Sequence, residues 1–211
     1  DYIDAAIEQG AVAIIGERES IDAQDILYIQ VPHAREALGR ITHVLAGNPS
    51  RDLTVIGVTG TNGKSSTVTM IQHLLQCAGH PTACLGTLGY IVGGKTHSAS
   101  HTTPFPEDLA RLFAEAREAG DTHLVMEVSS HALEQERVSG IEFDVALFTN
   151  LTQDHLDYHV DMESYLAEKL KLFTKIDASS GITVANLDDP YWQRVKAASE
   201  ARHIRFGIEG D

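Results

Sequence analysis

Cysteine and positive charge are both scarce in this sequence, and each shortage excludes something. Its 2 cysteines, Cys77 and Cys84, form no metal or redox spacing, so neither a disulfide framework nor a zinc module holds the chain together. The 16 lysines and arginines stand against 30 aspartates and glutamates, a net charge of -14, which excludes the basic stripe that a nucleic-acid surface needs. No apolar run is long enough to span a membrane, and no signal peptide opens the chain. A reducing cytoplasm is the expected setting, with no membrane and no nucleic acid as partner. The 211 residues, 43% hydrophobic and 22% charged, suit one globular domain or one and a half.

The chain is organised around Thr54 to Thr67, TVIGVTGTNGKSST. A β-branched apolar run passes into Gly57, Gly60 and Gly63, then Lys64, then Ser65-Ser66-Thr67 at the start of a helical pattern. That is strand, phosphate loop, helix. Glycines let backbone N–H groups close on phosphate oxygens, and the helix N-terminus adds its positive dipole end. Lys64 is expected to reach the terminal phosphates and the Ser65 hydroxyl to ligate Mg²⁺. The common phosphate-loop pattern wants glycine five positions before Gly63, where this chain has Val58.

Before that loop, residues 1 to 47 read as a helix (Tyr2 to Gln9), strands at Ala11 to Ile15 and Ile26 to Val31, and a helix from Ala34 towards Ala46, too little for an independent domain. We expect residues 1-50 to be the end of a preceding α/β domain with its linker, and 51-211 to be an incomplete ATP-binding domain, the whole a fragment of a longer protein. After the loop, helices and strands alternate: a helix ending at Gly79, a strand over Thr82 to Leu88, a hairpin turning at Gly93-Gly94, a helix from Pro106 to Gly120, and a strand over His123 to Val128. A strand over Phe143 to Phe148, a helix capped by Asp161 and running to about Thr174, a strand over Ile182 to Ala185, a helix over Pro190 to Ala201 and a strand over His203 to Phe206 complete the series. The expected fold class is α/β, a mostly parallel sheet with helices on both faces. Ligands sit at the C-terminal ends of such strands, where four polar clusters fall: Gly60 to Ser65, Thr102-Thr103-Pro104, Glu127 to His131 and Asn150 to His159.

Several of these residues carry candidate chemistry. Glu127 is an acid among apolar neighbours and needs a partner, either Mg²⁺ or an arginine. Asp154-His155-Leu156-Asp157-Tyr158-His159 places two histidines at i, i+4, but leucine stands where the zinc-peptidase glutamate would be, which argues against zinc. Lys169 falls inside the apolar stripe Met162, Tyr165, Leu166, Leu172, Phe173. Either its stem snorkels to the surface or it serves the site; a desolvated, neutral lysine can take up carbon dioxide as a metal-binding carbamate. Arg137 offers a fork for a carboxylate or phosphate, or is a surface arginine, and Thr102-Thr103 is an anion site or a turn.

GVTGTNGKSST, HTTP, MEVSSHALEQERV and FTNLTQDHLDYHVDMESYLAEKLKLF stand in order from residue 57 to 173. On these motifs the chain resembles the Mur ligases of bacterial cell-wall synthesis, and among them those adding the third residue of the peptidoglycan stem peptide. The resemblance implies a P-loop-type central domain and ATP-dependent amide synthesis. ATP phosphorylates the side-chain carboxylate of D-glutamate in UDP-N-acetylmuramoyl-L-alanyl-D-glutamate, and meso-diaminopimelate or L-lysine attacks the acyl phosphate. It further implies that Gly60, Thr61, Asn62, Gly63, Lys64, Ser65 and Ser66 hold ATP. Ser65, Glu127, His155 and carbamylated Lys169 serve Mg²⁺, with Lys64, Lys169 and His155 catalytic. Thr102, Thr103, Ser129, Gln135 and Arg137 contact the UDP-muramoyl-dipeptide. Such enzymes have a C-terminal domain selecting the amino acid, which this chain lacks, so the 211 residues alone are expected to be inactive. A monomer is expected. The alternatives are a folylpolyglutamate synthase-like ligase, which the Ser129 to Arg137 block disfavours, and a non-catalytic nucleotide-binding module such as a GTPase, for which the guanine-reading N-K-x-D is missing. A purely structural protein leaves Lys64, Glu127 and Lys169 unexplained together.

Overall fold

The computed structural model describes residues 2–22, 26–154 and 159–208. The chain opens with α1 (Ile3–Glu8), strands β1 (Ala13–Gly16) and β2 (Leu27–Gln30), which pair in parallel with each other, and α2 (Ala34–Leu45). A 3-10 turn, Pro49–Asp52, occupies the stretch read as a linker.

The main body follows as β3 (Thr54–Thr59), α3 (Lys64–Cys77), β4 (Thr82–Gly86), β5 (Gly89–Val92), β6 (Lys95–His97), α4 (Pro106–Ala119) and β7 (His123–Glu127). It continues with α5 (Ser130–Glu134), β8 (Val145–Phe148), α6 (Met162–Thr174), β9 (Ile182–Asn186), α7 (Trp192–Ala197) and β10 (Arg202–Phe206). Its eight-stranded sheet has the order β10-β9-β8-β3-β7-β4-β5-β6. Pairing is parallel except for β5, which runs antiparallel to both β4 and β6. The expected hairpin at Gly93-Gly94 reverses the chain between β5 and β6, and a second tight turn, Thr87-Leu88 between Gly86 and Gly89, reverses it between β4 and β5.

The central strand β3 is covered on both faces, and its alternation sorts its side chains between them. Val55 packs with Leu109, Leu112 and Phe113 of α4 and with Leu166, Leu172 and Phe173 of α6. Ile56 and Val58 pack on the other face with Val68, Ile71 and Leu75 of α3. Helices therefore flank the sheet on both sides, as the sequence predicts, and β3 is held in the middle with β7 and β8 as neighbours.

Three local differences have physical causes. Phe143 makes only an isolated bridge to Ile176 and the Asp144 carboxylate accepts the Val55 N–H at 2.7 Å, so β8 starts at Val145. Asp189 takes the N–H groups of Leu151 and Tyr191, both within 2.9 Å, which confines the last helix to Trp192–Ala197. The five-residue α5 is too short to show a helical period. Asp161 caps α6 as the sequence predicts, its carboxylate accepting the Ser164 N–H at 2.8 Å in a capping box.

Candidate active site

The phosphate loop joins β3 to α3, and its shape depends on the neighbouring β8 end. Gly60 has φ +143°, and a Cβ there would run into the Thr149 hydroxyl. Asn150 accepts the Thr61 N–H on its carbonyl (2.8 Å) and the Asn62 N–H on its side chain (3.0 Å). Thr149 and Asn150 both donate to the Asn62 carbonyl, at 2.8 and 3.0 Å, and Thr152 accepts from the Asn62 amide at 3.1 Å. Thr61 and Asn62 thus spend their N–H groups bracing the loop. The first N–H bond inside α3 runs from Thr67 to Gly63 (2.9 Å), so the N–H groups of Gly63, Lys64, Ser65 and Ser66 precede the helical ladder. Gly63, in the left-handed region at φ +84°, turns the chain into the helix.

Two lysines meet behind this loop. Lys64 donates to the carbonyls of Gly60 (3.0 Å) and Thr61 (2.8 Å). Lys169, from the middle of α6 and 1% exposed, donates to the same Gly60 carbonyl at 2.8 Å and lies 4.3 Å from the centroid of the Tyr165 ring. Its stem does not snorkel. Burial, then repulsion from Lys64, brings the Lys169 amine down to about 7 against the pull of Asp154. Burial also lowers Lys64, opposed by attraction to Glu127 and Asp154. The Tyr165 hydroxyl lies 3.3 Å from the Thr61 hydroxyl, tying α6 to the loop.

A cavity of about 500 Å³ opens over the start of α3. Lining it are Thr61 to Ser65 of the loop, Thr87, His101, Thr102 and Thr103, then Glu127, Ser129, His131 and Arg137. Glu127, at the C-terminal end of β7 and 1% exposed, accepts from the Thr87 N–H (2.8 Å) and hydroxyl (3.4 Å). No arginine pairs with it among the described residues. Thr102 accepts from the Thr87 hydroxyl at 3.0 Å. The buried Thr103 hydroxyl donates to the Glu127 carbonyl (2.9 Å) and accepts the Ser129 N–H (3.1 Å), while Ser129 caps α5 by accepting the Ala132 N–H (3.2 Å). Arg137 donates to the Gln135 side-chain oxygen through Nε (3.0 Å) and Nη2 (2.7 Å), and through Nη1 to the Thr103 carbonyl (2.9 Å).

Three of the four polar clusters therefore converge on this cavity, together with Arg137. In the described part of the fourth, residues 150–154 and 159, Asn150 and Thr152 brace the loop instead, together with the preceding Thr149. Gln135 lines a neighbouring cavity of about 290 Å³ with Arg137, Phe105, Pro106, Arg35 and Leu38. His155 lies outside the described residues. His159 is buried, its Nε2 2.9 Å from the Ser130 hydroxyl. Among the described residues no group of three or more His, Cys, Asp or Glu could hold a metal ion. Sequence reasoning missed Thr87, and it held His101 and His131 only as members of the HTTP motif and of the Glu127 to His131 cluster, without a role of their own; the folded chain brings all three to the cavity wall. The arrangement combines anion-binding N–H groups, two lysines, a buried carboxylate and a fixed guanidinium. That is a setting for moving a charged group between two anionic partners.

The chain matches the family model of the Mur ligase middle domain over residues 58–211. It is 44% identical over 213 residues to the UDP-N-acetylmuramoyl-L-alanyl-D-glutamate--2,6-diaminopimelate ligase of Geobacter metallireducens, the match covering 99% of this chain and 42% of that protein. The solved structure of a ligase of the same name superposes with a TM-score of 0.84 at 27% identity, covering 99% of this chain and 42% of that one. A Mycobacterium tuberculosis folylpolyglutamate synthase complexed with ADP and AMPPCP shares the fold over 81% of this chain and 46% of its own, with a TM-score of 0.65 at 22% identity. The chain thus spans less than half the length of the relatives it matches.

Proposed function

This chain belongs to the Mur ligase family, and we propose that it is the nucleotide-binding part of an ATP-dependent ligase joining meso-diaminopimelate to UDP-N-acetylmuramoyl-L-alanyl-D-glutamate. What carries the reading is one cavity in which Lys64 and Ser65, at the open N-terminus of α3, share the walls with Glu127, Thr102-Thr103, Ser129 and Arg137. The name borne by relatives more than 40% identical supports diaminopimelate over L-lysine. Residues 1-50 close a UDP-binding domain in this reading, 51-211 belong to the ATP-binding domain, and the enzyme is a cytoplasmic monomer. No described helix is long and apolar enough to cross a membrane.

The N–H groups of Gly63 to Ser66 hold phosphate oxygens, with Thr61 and Asn62 keeping the loop in shape. Lys64 leaves its carbonyl partners to follow the transferred phosphoryl group. Arg137, Gln135, Thr102, Thr103 and Ser129 orient the muramoyl dipeptide so that the glutamate side-chain carboxylate faces the terminal phosphorus and displaces ADP from it; the incoming amine then attacks the acyl carbon of the acyl phosphate so made, forming the amide and releasing phosphate and a proton. Ser65 and Glu127 are hard oxygen donors beside Lys64 and fit Mg²⁺, joined in this proposal by His155 and by Lys169 as its carbamate. Mg²⁺, when bound, neutralises charge around the phosphates. A Lys169 amine lowered to about 7 has a substantial neutral fraction near pH 7, and that fraction can add carbon dioxide and release a proton.

The test is ADP release by the full-length enzyme given Mg-ATP and the muramoyl dipeptide, with meso-diaminopimelate or L-lysine in parallel. Release that depends on diaminopimelate supports the proposal. Silence with both, from protein that still binds ATP, would move the assignment to another ligase of the superfamily, with folate as the next substrate.

A further inference from the structure

Phe105 is a large apolar side chain placed where the local rules call for something else. It occupies the N-cap of α4, a position that favours Ser, Thr, Asp or Asn, and it makes no capping hydrogen bond. It is 39% exposed and belongs to neither buried core cluster. Pro104 and Pro106 flank it, and the following proline holds it extended at φ -70°, ψ 160°. The chain therefore presents the ring rigidly without using it for the core.

Its contacts are with the walls of the site. The Arg137 guanidinium carbon lies 4.2 Å from the ring centroid, and the His101 ring meets it edge-on at 4.7 Å and 70°. Both line the 500 Å³ cavity, while Phe105 itself lines the adjoining 290 Å³ cavity, whose wall Arg137 shares. Gln135 and Thr103 fix the edges of the guanidinium through their oxygens. The ring supplies what they cannot, a surface against the flat face.

On the ligase reading above, we infer that Phe105 is a positioning residue for the muramoyl dipeptide, holding the Arg137 fork and the His101 ring in the orientation that receives the anionic substrate. Nothing in its position favours an effect on ATP, since the ring lines neither the phosphate loop nor the Glu127 wall.

The experiment compares the full-length wild-type enzyme with Phe105→Ala, Phe105→Leu and Phe105→Tyr. Steady-state kinetics would be read alongside calorimetric titration of UDP-N-acetylmuramoyl-L-alanyl-D-glutamate without ATP. Loss of the ring face in the Ala and Leu variants is expected to raise KM and Kd for the muramoyl dipeptide by roughly three- to tenfold, the range of a partly exposed cation–π contact. KM for ATP and kcat stay within about twofold of wild type, below the roughly threefold lower end expected for that contact, the thermal midpoint does not move, and Tyr restores the muramoyl KM. An active wild type whose Leu variant keeps its muramoyl KM overturns the inference alone, as does an equal rise in the KM for ATP. A wild type silent towards the muramoyl dipeptide removes the ligase reading, and this inference with it.

Discussion

Lys64 and Lys169 share one acceptor, the carbonyl oxygen of Gly60, at 3.0 and 2.8 Å. Two lysines from helices far apart in sequence are thereby gathered on the one residue whose φ of +143° shapes the loop. The shared contact gives each lysine a different testable consequence.

Lys169→Ala is expected to lower turnover of the full-length enzyme by at least about 100-fold, in the range of losing a group that acts only in the transition state. Formate or acetate, as a small carboxylate replacing the carbamate, should restore part of it. Undiminished activity in the variant would remove Lys169 from the site.

Stability should carry the signature of the same residue. The folded value of Lys169, about 7, lies below the ordinary lysine value of 10.5, so the unfolded chain binds more protons between them. The buried ammonium costs stability in full below pH 7, and the cost fades as pH rises towards 10. Urea unfolding midpoints of wild type should therefore climb over that window relative to Lys169→Met, whose profile lacks the climb. Parallel profiles would contradict it.

Lys64→Ala should abolish ATP-dependent turnover, because no other cation of the loop can follow the transferred phosphoryl group. Wild-type ADP release in that variant would take the loop out of the mechanism.

Acid should act on a different place, the packing of α2 on α4. His43 is 2% exposed, lies edge-on to Phe113 at 5.4 Å, and is lowered by burial from 6.5 to about 4 despite Glu142. Its folded value is depressed, so the neutral ring is what the fold accepts; stability falls as pH drops from 6.5 to about 4, by roughly 3 kcal/mol in total at 1.36 kcal/mol per unit. Unfolding titrations of wild type and His43→Leu should diverge in that window.

Asn150→Ala removes the acceptor of the Asn62 N–H and a donor to the Asn62 carbonyl. With the loop less braced, KM for ATP should rise by about tenfold, the worth of roughly 1.4 kcal/mol in hydrogen bonding, while the fold persists. An unchanged KM would show that the loop holds its shape without this side chain.

Much of this was legible before the fold. The apolar period of α6 already set Lys169 inside the stripe between Leu166 and Leu172, but a long stem can snorkel from such a position, and the buried ammonium was settled only by the fold. The phosphate loop was legible from its glycines and Lys64 although Val58 breaks the common pattern. Which loop N–H groups stay available for an anion was not, since that depends on Asn150, some ninety residues on, reaching Thr61 and Asn62. Phe105 was equally silent, because an exposed aromatic beside two prolines has no period, and its partners meet it only through the third dimension.

The register of the central strands also bears on how such a site tolerates change. Val58 of β3 is paired with Glu127 of β7, and β8 pairs along the other side of β3. Side chains alternate between the two faces of a sheet, so one residue inserted into or deleted from β7 would send the carboxylate to the opposite face while leaving every side chain of the site chemically intact. Between relatives, length should therefore vary in the connections and hardly at all inside β3 and β7, and a library of single-residue insertions should lose ATP turnover there even where substitutions at the same positions keep it.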